Sequence, residues 1–192
     1  MYFHTGGASN VTNQLCAAAN TKFRIASYTT YTLSALFYYT TTPGYQCIFS
    51  YTGGVDSWNG TTGIQYNLYL NNSGIPVFIW YYGTTGYNHS ITSSVTPTLN
   101  AWHHLAVIIT ATNVIMYLDG VQVAAYGSAG GFTATTAPSA LVIGNYLPSS
   151  GGRVIRGYLD EVAMFAGQAL NITDLYKTTV PYALPQTARM IA

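Results

Sequence analysis

An all-β jelly-roll sandwich of two antiparallel sheets, with one short C-terminal helix, is the fold the sequence predicts. Three observations lead there. Apolar and β-branched residues alternate with period two through most of the chain. Turns rich in Gly, Asn and Asp interrupt them at short intervals. A helical pattern shows only near residue 171. Short strands joined by Gly-rich turns are the mark of antiparallel sandwiches and barrels.

The elements follow in order. Tyr31 to Tyr39 places Tyr31, Leu33, Ala35, Phe37 and Tyr39 on one face and Thr32, Ser34, Leu36 and Tyr38 on the other. Gln46 to Tyr51 forms the next strand, after a turn at Pro43-Gly44. Ile64 to Leu70 turns at Asn71-Asn-Ser-Gly74 and returns through Val77 to Tyr82, a hairpin by its turn residues. Trp102 to Thr110 is strongly apolar, and Ala111-Thr-Asn113 leads from it into Val114 to Leu118. Asp119-Gly120 between two apolar runs predicts a type I′ turn into Val121 to Ala125. Leu141 to Gly144 is a short strand, a flexible loop runs through Pro148-Ser-Ser-Gly-Gly152, and Arg156 to Phe165 is a long strand. Asn171 to Lys177 is a short helix capped by Asn171 or Thr173.

Composition narrows the function. The chain has 192 residues, 49% apolar, enough for one well-buried domain. Only 6% are charged, against about 25% in an ordinary domain. Six basic and five acidic residues give a formal charge of +1. That excludes a basic nucleic-acid surface and a polybasic membrane patch. An aromatic content of 15%, with 18 tyrosines, excludes disorder. A Thr, Ser, Asn, Gly and Tyr surface suits a secreted protein or a subunit of a large assembly, and tyrosine favours interfaces. Homo-oligomerisation is therefore expected, with the Tyr38-Tyr39 edge and the Tyr81, Tyr82 and Tyr87 region as contacts. The N-terminus lacks a basic and apolar leader, and the longest apolar run, Val77 to Tyr82, is far below the ~20 residues that span a bilayer. No membrane insertion is expected. Cys16 and Cys47 are read as two buried thiols or one bridge.

Several motifs in order resemble one family. They are Tyr2 to Gly6, Thr32 to Phe37, Trp102-His-His-Leu-Ala-Val107, Val114-Ile-Met-Tyr-Leu-Asp-Gly120, Leu141-Val-Ile-Gly144 and Gly157-Tyr-Leu-Asp-Glu-Val-Ala-Met-Phe165, followed by Ala169-Leu170 and the short helix. The order and spacing resemble the laminin-G-like jelly rolls of the concanavalin A-like lectin/glucanase superfamily. The resemblance implies one domain over residues 1–177 and a C-terminal extension over 178–192. This fold carries lectins, hydrolases and structural modules, so function must be argued from the site.

Catalysis is not expected. Glycoside hydrolysis usually takes two carboxylates about 5–9.5 Å apart, and the glucanase branch carries them at alternating positions of one strand. Here Glu161 is the sole glutamate and neighbours Asp160. Strict alternation puts Asp160 with Tyr158, Val162 and Met164, and Glu161 with Leu159, Ala163 and Phe165, on opposite faces. His103 and His104 alternate likewise, and neither a nucleophile elbow nor a phosphate loop is present. The resemblance implies one optional cofactor, calcium, held by Asp160 with backbone carbonyls near Gly6 and Gly7. The alternative is that Asp160 accepts backbone N–H groups and pins the N-terminal strand.

Binding is what remains. The loops Gly53 to Gly60 and Tyr81 to His89 combine aromatic faces with amide and carboxylate groups, the chemistry of sugar recognition. Asp56, Trp58, Asn59, Tyr81, Tyr82, Tyr87 and His89 are the candidate glycan or partner contacts. Two settings are consistent with the sequence. The first is a bacteriophage virion component (capsid decoration, head fibre or tail appendage), assembled in the host cytoplasm with itself and other virion proteins. The second is a secreted or cell-surface lectin or adhesin, with an extracellular location.

Overall fold

The computed structural model describes residues 2–3, 15–20, 23, 25, 29–42, 44–52, 64–82, 87–127, 139–146 and 153–179; at 2–3, 15–20, 52, 64, 81–82, 87–88, 139 and 178–179 it describes backbone alone. The strands are β1 (Tyr2–Phe3), β2 (Leu15–Asn20), β3 (Tyr31–Tyr39), β4 (Gln46–Thr52), β5 (Ile64–Leu70), β6 (Pro76–Tyr82), β7 (Tyr87–Thr92), β8 (Trp102–Ile109), β9 (Asn113–Leu118), β10 (Val121–Gly127), β11 (Ser139–Ile143) and β12 (Gly157–Ala166), followed by the helix α1 (Ile172–Thr179). They form two six-stranded sheets. Sheet A has the order β1-β12-β3-β8-β9-β10, and sheet B has the order β2-β11-β4-β5-β6-β7. Every strand pair is antiparallel.

The predicted alternation makes the core. Leu33, Ala35, Phe37 and Tyr39 of β3 and Leu105, Val107 and Ile109 of β8 face Tyr51, Tyr66, Leu68, Phe78 and Trp80 of sheet B in one buried cluster. Tyr51 and Tyr66 stack at 5.6 Å, and Phe78 and Trp80 at 5.7 Å, so much of the buried apolar area is aromatic. Two of the polar tips reach backbone: Tyr39 donates its hydroxyl to the Pro97 carbonyl and Tyr66 to the Phe23 carbonyl.

Turn chemistry fixes the register. Asp119 and Gly120 take φ of 52° and 78°, the left-handed pair that a type I′ turn requires. Asn71 accepts the Ser73 and Ile75 N–H groups on Oδ1, and Gly74 sits at φ 75°. In α1, Asn171 is the cap, accepting the Thr173 N–H at 3.1 Å. The helix runs to Thr179 and lays Ile172 on Ala106 and Ile108 of β8, covering part of the outer face of sheet A.

Three features depart from the sequence expectation. First, β2 pairs with β11 although Leu15 to Asn20 shows no alternation that marks a strand. Second, Tyr87 to Thr92 is not loop: it is the edge strand β7, whose register pairs Tyr82 with Tyr87 and Tyr81 with Asn88. Third, β12 is bulged between Asp160 and Ala163, with Glu161 at φ 47°. A bulge inserts one unpaired residue and resets the alternation. Met164 therefore pairs with Leu33 and packs on the core beside Val162, on the side of Leu159 and not of Asp160. The opposite-face argument for Asp160 and Glu161 thus fails, because it assumed an unbroken strand.

At Gly157 a Cβ would overlap the Tyr38 carbonyl oxygen, whereas one at Gly167, φ 77°, meets nothing within 4 Å. Gly157→Ala is expected to cost about 3 kcal/mol or more and Gly167→Ala only about 1 kcal/mol. Urea unfolding of the two variants checks the ranking.

Candidate functional site

The sheet-B register brings the strand ends that flank the two predicted loops to one end of the sheet. Thr52 pairs with Ile64 and Tyr82 with Tyr87, and successive antiparallel strands place both pairs at the same end. Asp56, Trp58 and Asn59 lie outside the described residues, as do Gly6 and Gly7; Tyr81, Tyr82 and Tyr87 are placed by backbone alone. His89 is half-buried, stacked on Trp80 at 5.6 Å and 5.3 Å from Tyr126, where the edges β7 and β10 face each other. Asp160 accepts the adjacent Glu161 N–H at 3.1 Å. Among the described residues no group of three His, Cys, Asp or Glu side chains comes together to hold a metal.

A cluster that sequence reasoning missed lies on the outer face of sheet B. Cys47, Tyr69, Val77, Ile79 and Tyr146 form a buried apolar layer there. Arg153 lies over it, its guanidinium carbon 4.2 Å from the Tyr146 ring centre and 5.5 Å from that of Tyr45. Tyr45 is 38% exposed and contacts Tyr69 at 5.8 Å. The strip carrying Arg153 is fixed by backbone. Val154 bridges to Cys47, Ile155 donates to the Gly144 carbonyl, and Arg156 donates to the Gln46 side chain. Gln46, fully buried, uses its other end on the Thr41 carbonyl, which fixes the turn that presents Tyr45. The result is an exposed ring beside a held guanidinium, able to take an apolar face and to donate hydrogen bonds to oxygen. Tyr45 and Arg153 are far apart in sequence, and the run before Arg153 reads as a flexible loop, so only the Pro-Gly turn before Tyr45 gave a signal.

The buried thiol of Cys47 is a free cysteine and donates to Asn67 Oδ1 at 2.9 Å. Burial pushes its pKa well up, leaving the protonated, inert form.

His103 and His104 tie β8 to its neighbours. His103 Nδ1 donates to Asp119 Oδ2 at 2.7 Å, while Nε2 lies 3.0 Å from the Thr98 carbonyl oxygen and 3.1 Å from the Thr98 hydroxyl. Asp119 Oδ1 accepts the His104 N–H at 2.8 Å. The carboxylate therefore clamps the I′ turn onto β8. His104, fully buried, meets Ser34 Oγ at 2.9 Å through Nε2, and its Nδ1 has no hydrogen-bond partner. A second aromatic group, Tyr38, Trp102 and Tyr158, has ring centres 5.5 to 6.3 Å apart and is half-buried on the outer face of sheet A.

These environments set an acid limit. Burial lowers the His104 pKa from 6.5 to about 4 despite the nearby Asp119. Between those values the unfolded chain binds the proton and the folded chain does not, so stability falls as pH drops from about 6.5 to 4, by up to about 3 kcal/mol. For Asp119, burial acts upward, but the His103 and His104 hydrogen bonds prevail and hold the pKa below the ordinary value. Its contribution is present above that ordinary value and is lost as pH falls through the lowered one. Denaturant unfolding across pH 7 to 4 is expected to show the first loss, and His104→Leu to remove most of it.

A family model described as the concanavalin A-like lectin/glucanases superfamily matches residues 9–174. Among solved structures, domain 4 of AbnA, a GH43 extracellular arabinanase from Geobacillus stearothermophilus, in complex with arabinotriose, is 14% identical. That alignment covers 92% of this chain and 81% of the other, with a TM-score of 0.63. The CBM40 of the Ruminococcus gnavus IT-sialidase, bound to α2,3 sialyllactose, is 13% identical over 80% and 84%, with a TM-score of 0.62. A native heptameric SAP-like pentraxin from Limulus polyphemus is 15% identical over 91% and 78%, with a TM-score of 0.59. These likenesses show the jelly-roll fold. No curated protein sequence matches the chain.

Proposed function

Because the chain belongs to the concanavalin A-like lectin/glucanase superfamily, we propose that it is a non-enzymatic binding module that contacts glycans. The observation that carries this reading is the exposed Tyr45 ring beside Arg153, on the outer face of sheet B. The C–H face of a pyranose or furanose packs on an aromatic ring, and a guanidinium supplies fixed donors to its hydroxyl or carboxylate oxygens. The second proposed contact set is Asp56, Trp58, Asn59, Tyr81, Tyr82, Tyr87 and His89; of the strand ends that flank these segments, Thr52, Ile64, Tyr82 and Tyr87 stand at one end of sheet B. The two neighbours in complex with sialyllactose and with arabinotriose support the reading by fold. The sole glutamate, Glu161, is exposed on the bulge of β12, whereas glycoside hydrolysis usually takes a pair of carboxylates flanking one cleft.

The setting we favour is a virion component, in which this chain packs against its own copies and other virion proteins. A charge content of 6% with 18 tyrosines favours lasting subunit contacts over a free monomer.

Calorimetric titration against neutral and sialylated oligosaccharides tests the binding. Tyr45→Ala and Arg153→Ala are each expected to weaken binding roughly tenfold or more, with Glu161→Gln unchanged. Light scattering tests assembly: a particle larger than 20.7 kDa is expected, and a clean monomer at micromolar concentration contradicts the oligomeric part.

A further inference from the structure

Between the two sheets lies a cavity of about 300 Å³, partly open to solvent. Phe23, Phe49, Tyr66, Ile143 and Met164 are among the side chains that line it, and none of its described lining residues is charged. The one polar side chain among them is Tyr66, whose hydroxyl already donates to the Phe23 carbonyl at 2.9 Å. The bulge in β12 shapes the space, since Val162, Ala163 and Met164 at or just after it form one wall.

Close-packed interiors rarely hold a void much larger than a water molecule. An apolar cavity gives water few partners, so it stays dry and accepts apolar guests. This one is at the lower end of the size range of small-molecule pockets. Three aromatic rings, Phe23, Phe49 and Tyr66, line it, and such rings meet a flat guest by offset or edge contacts. From this geometry we infer that the cavity is a binding site for a neutral, mostly apolar small molecule built on one or two aromatic rings. The site is separate from the Tyr45–Arg153 surface and does not rest on the glycan reading. No bond is made or broken there.

Titration with the neutral probe N-phenyl-1-naphthylamine, followed by its fluorescence, tests the site on the full chain. The expected result is saturable binding of one probe per chain, with a rise in melting temperature. Met164→Trp fills the space and is expected to weaken binding at least about tenfold; Ala163→Leu serves if that variant does not fold. Absence of saturable binding overturns the proposal, and so does equal affinity in a folded, filled variant.

Discussion

The fold depends on burying both faces of one strand. β3 stands in the middle of sheet A, paired with β12 on one side and β8 on the other. Its inner face, Leu33 to Tyr39 in alternation, is in the core, and its outer residues Thr32, Ser34 and Leu36 are buried as well. Each outer polar group then needs an internal partner. Thr32 donates to the Gln168 carbonyl and accepts the Leu170 N–H, tying β3 to the segment that leads into α1. Ser34 meets His104. The His104 ring is 6.0 Å from Tyr176 on the helix. The helix and the approach to it are thus placed by what β3 cannot leave in water.

The other neighbour of β3 sets the shape of the site. β12 can lie against β3 at Gly157 because no Cβ stands in the way of the Tyr38 carbonyl. Just before it, the 153–156 strip is held by Gly144, Gln46 and Thr40. That fixed strip, not a mobile loop, carries Arg153. Past Gly157 the bulge at Glu161 turns Met164 inward and leaves space between the sheets. The continuous run from Arg153 to Met164 therefore contributes to both the surface cluster and the cavity between the sheets.

The alternation of Tyr31 to Tyr39, the Asp119-Gly120 turn and the Asn171 cap are local patterns, and all three were readable from sequence because each is decided within a few residues. The bulge was not. Nothing in Asp160-Glu-Val-Ala163 marks an extra residue, since that choice depends on how β12 meets Leu36 and Ser34 across the ladder. The polar residues Asn88, His89 and Ser90 hide β7 in the sequence, and among its described side chains only Ile91 is buried. The pairing of Tyr45 with Arg153 is long-range and has no sequence signature, whereas the aromatic loops drew notice by composition alone.

Amide chemical-shift mapping during titration with an oligosaccharide locates the bound sugar. The shifts are expected to cluster at Tyr45, Tyr69, Tyr146 and Arg153 on the outer face of sheet B. Shifts confined to the helix-covered face of sheet A around Ile172 and Tyr176, or no shifts with any sugar in a broad panel, would contradict a glycan site at Tyr45 and Arg153.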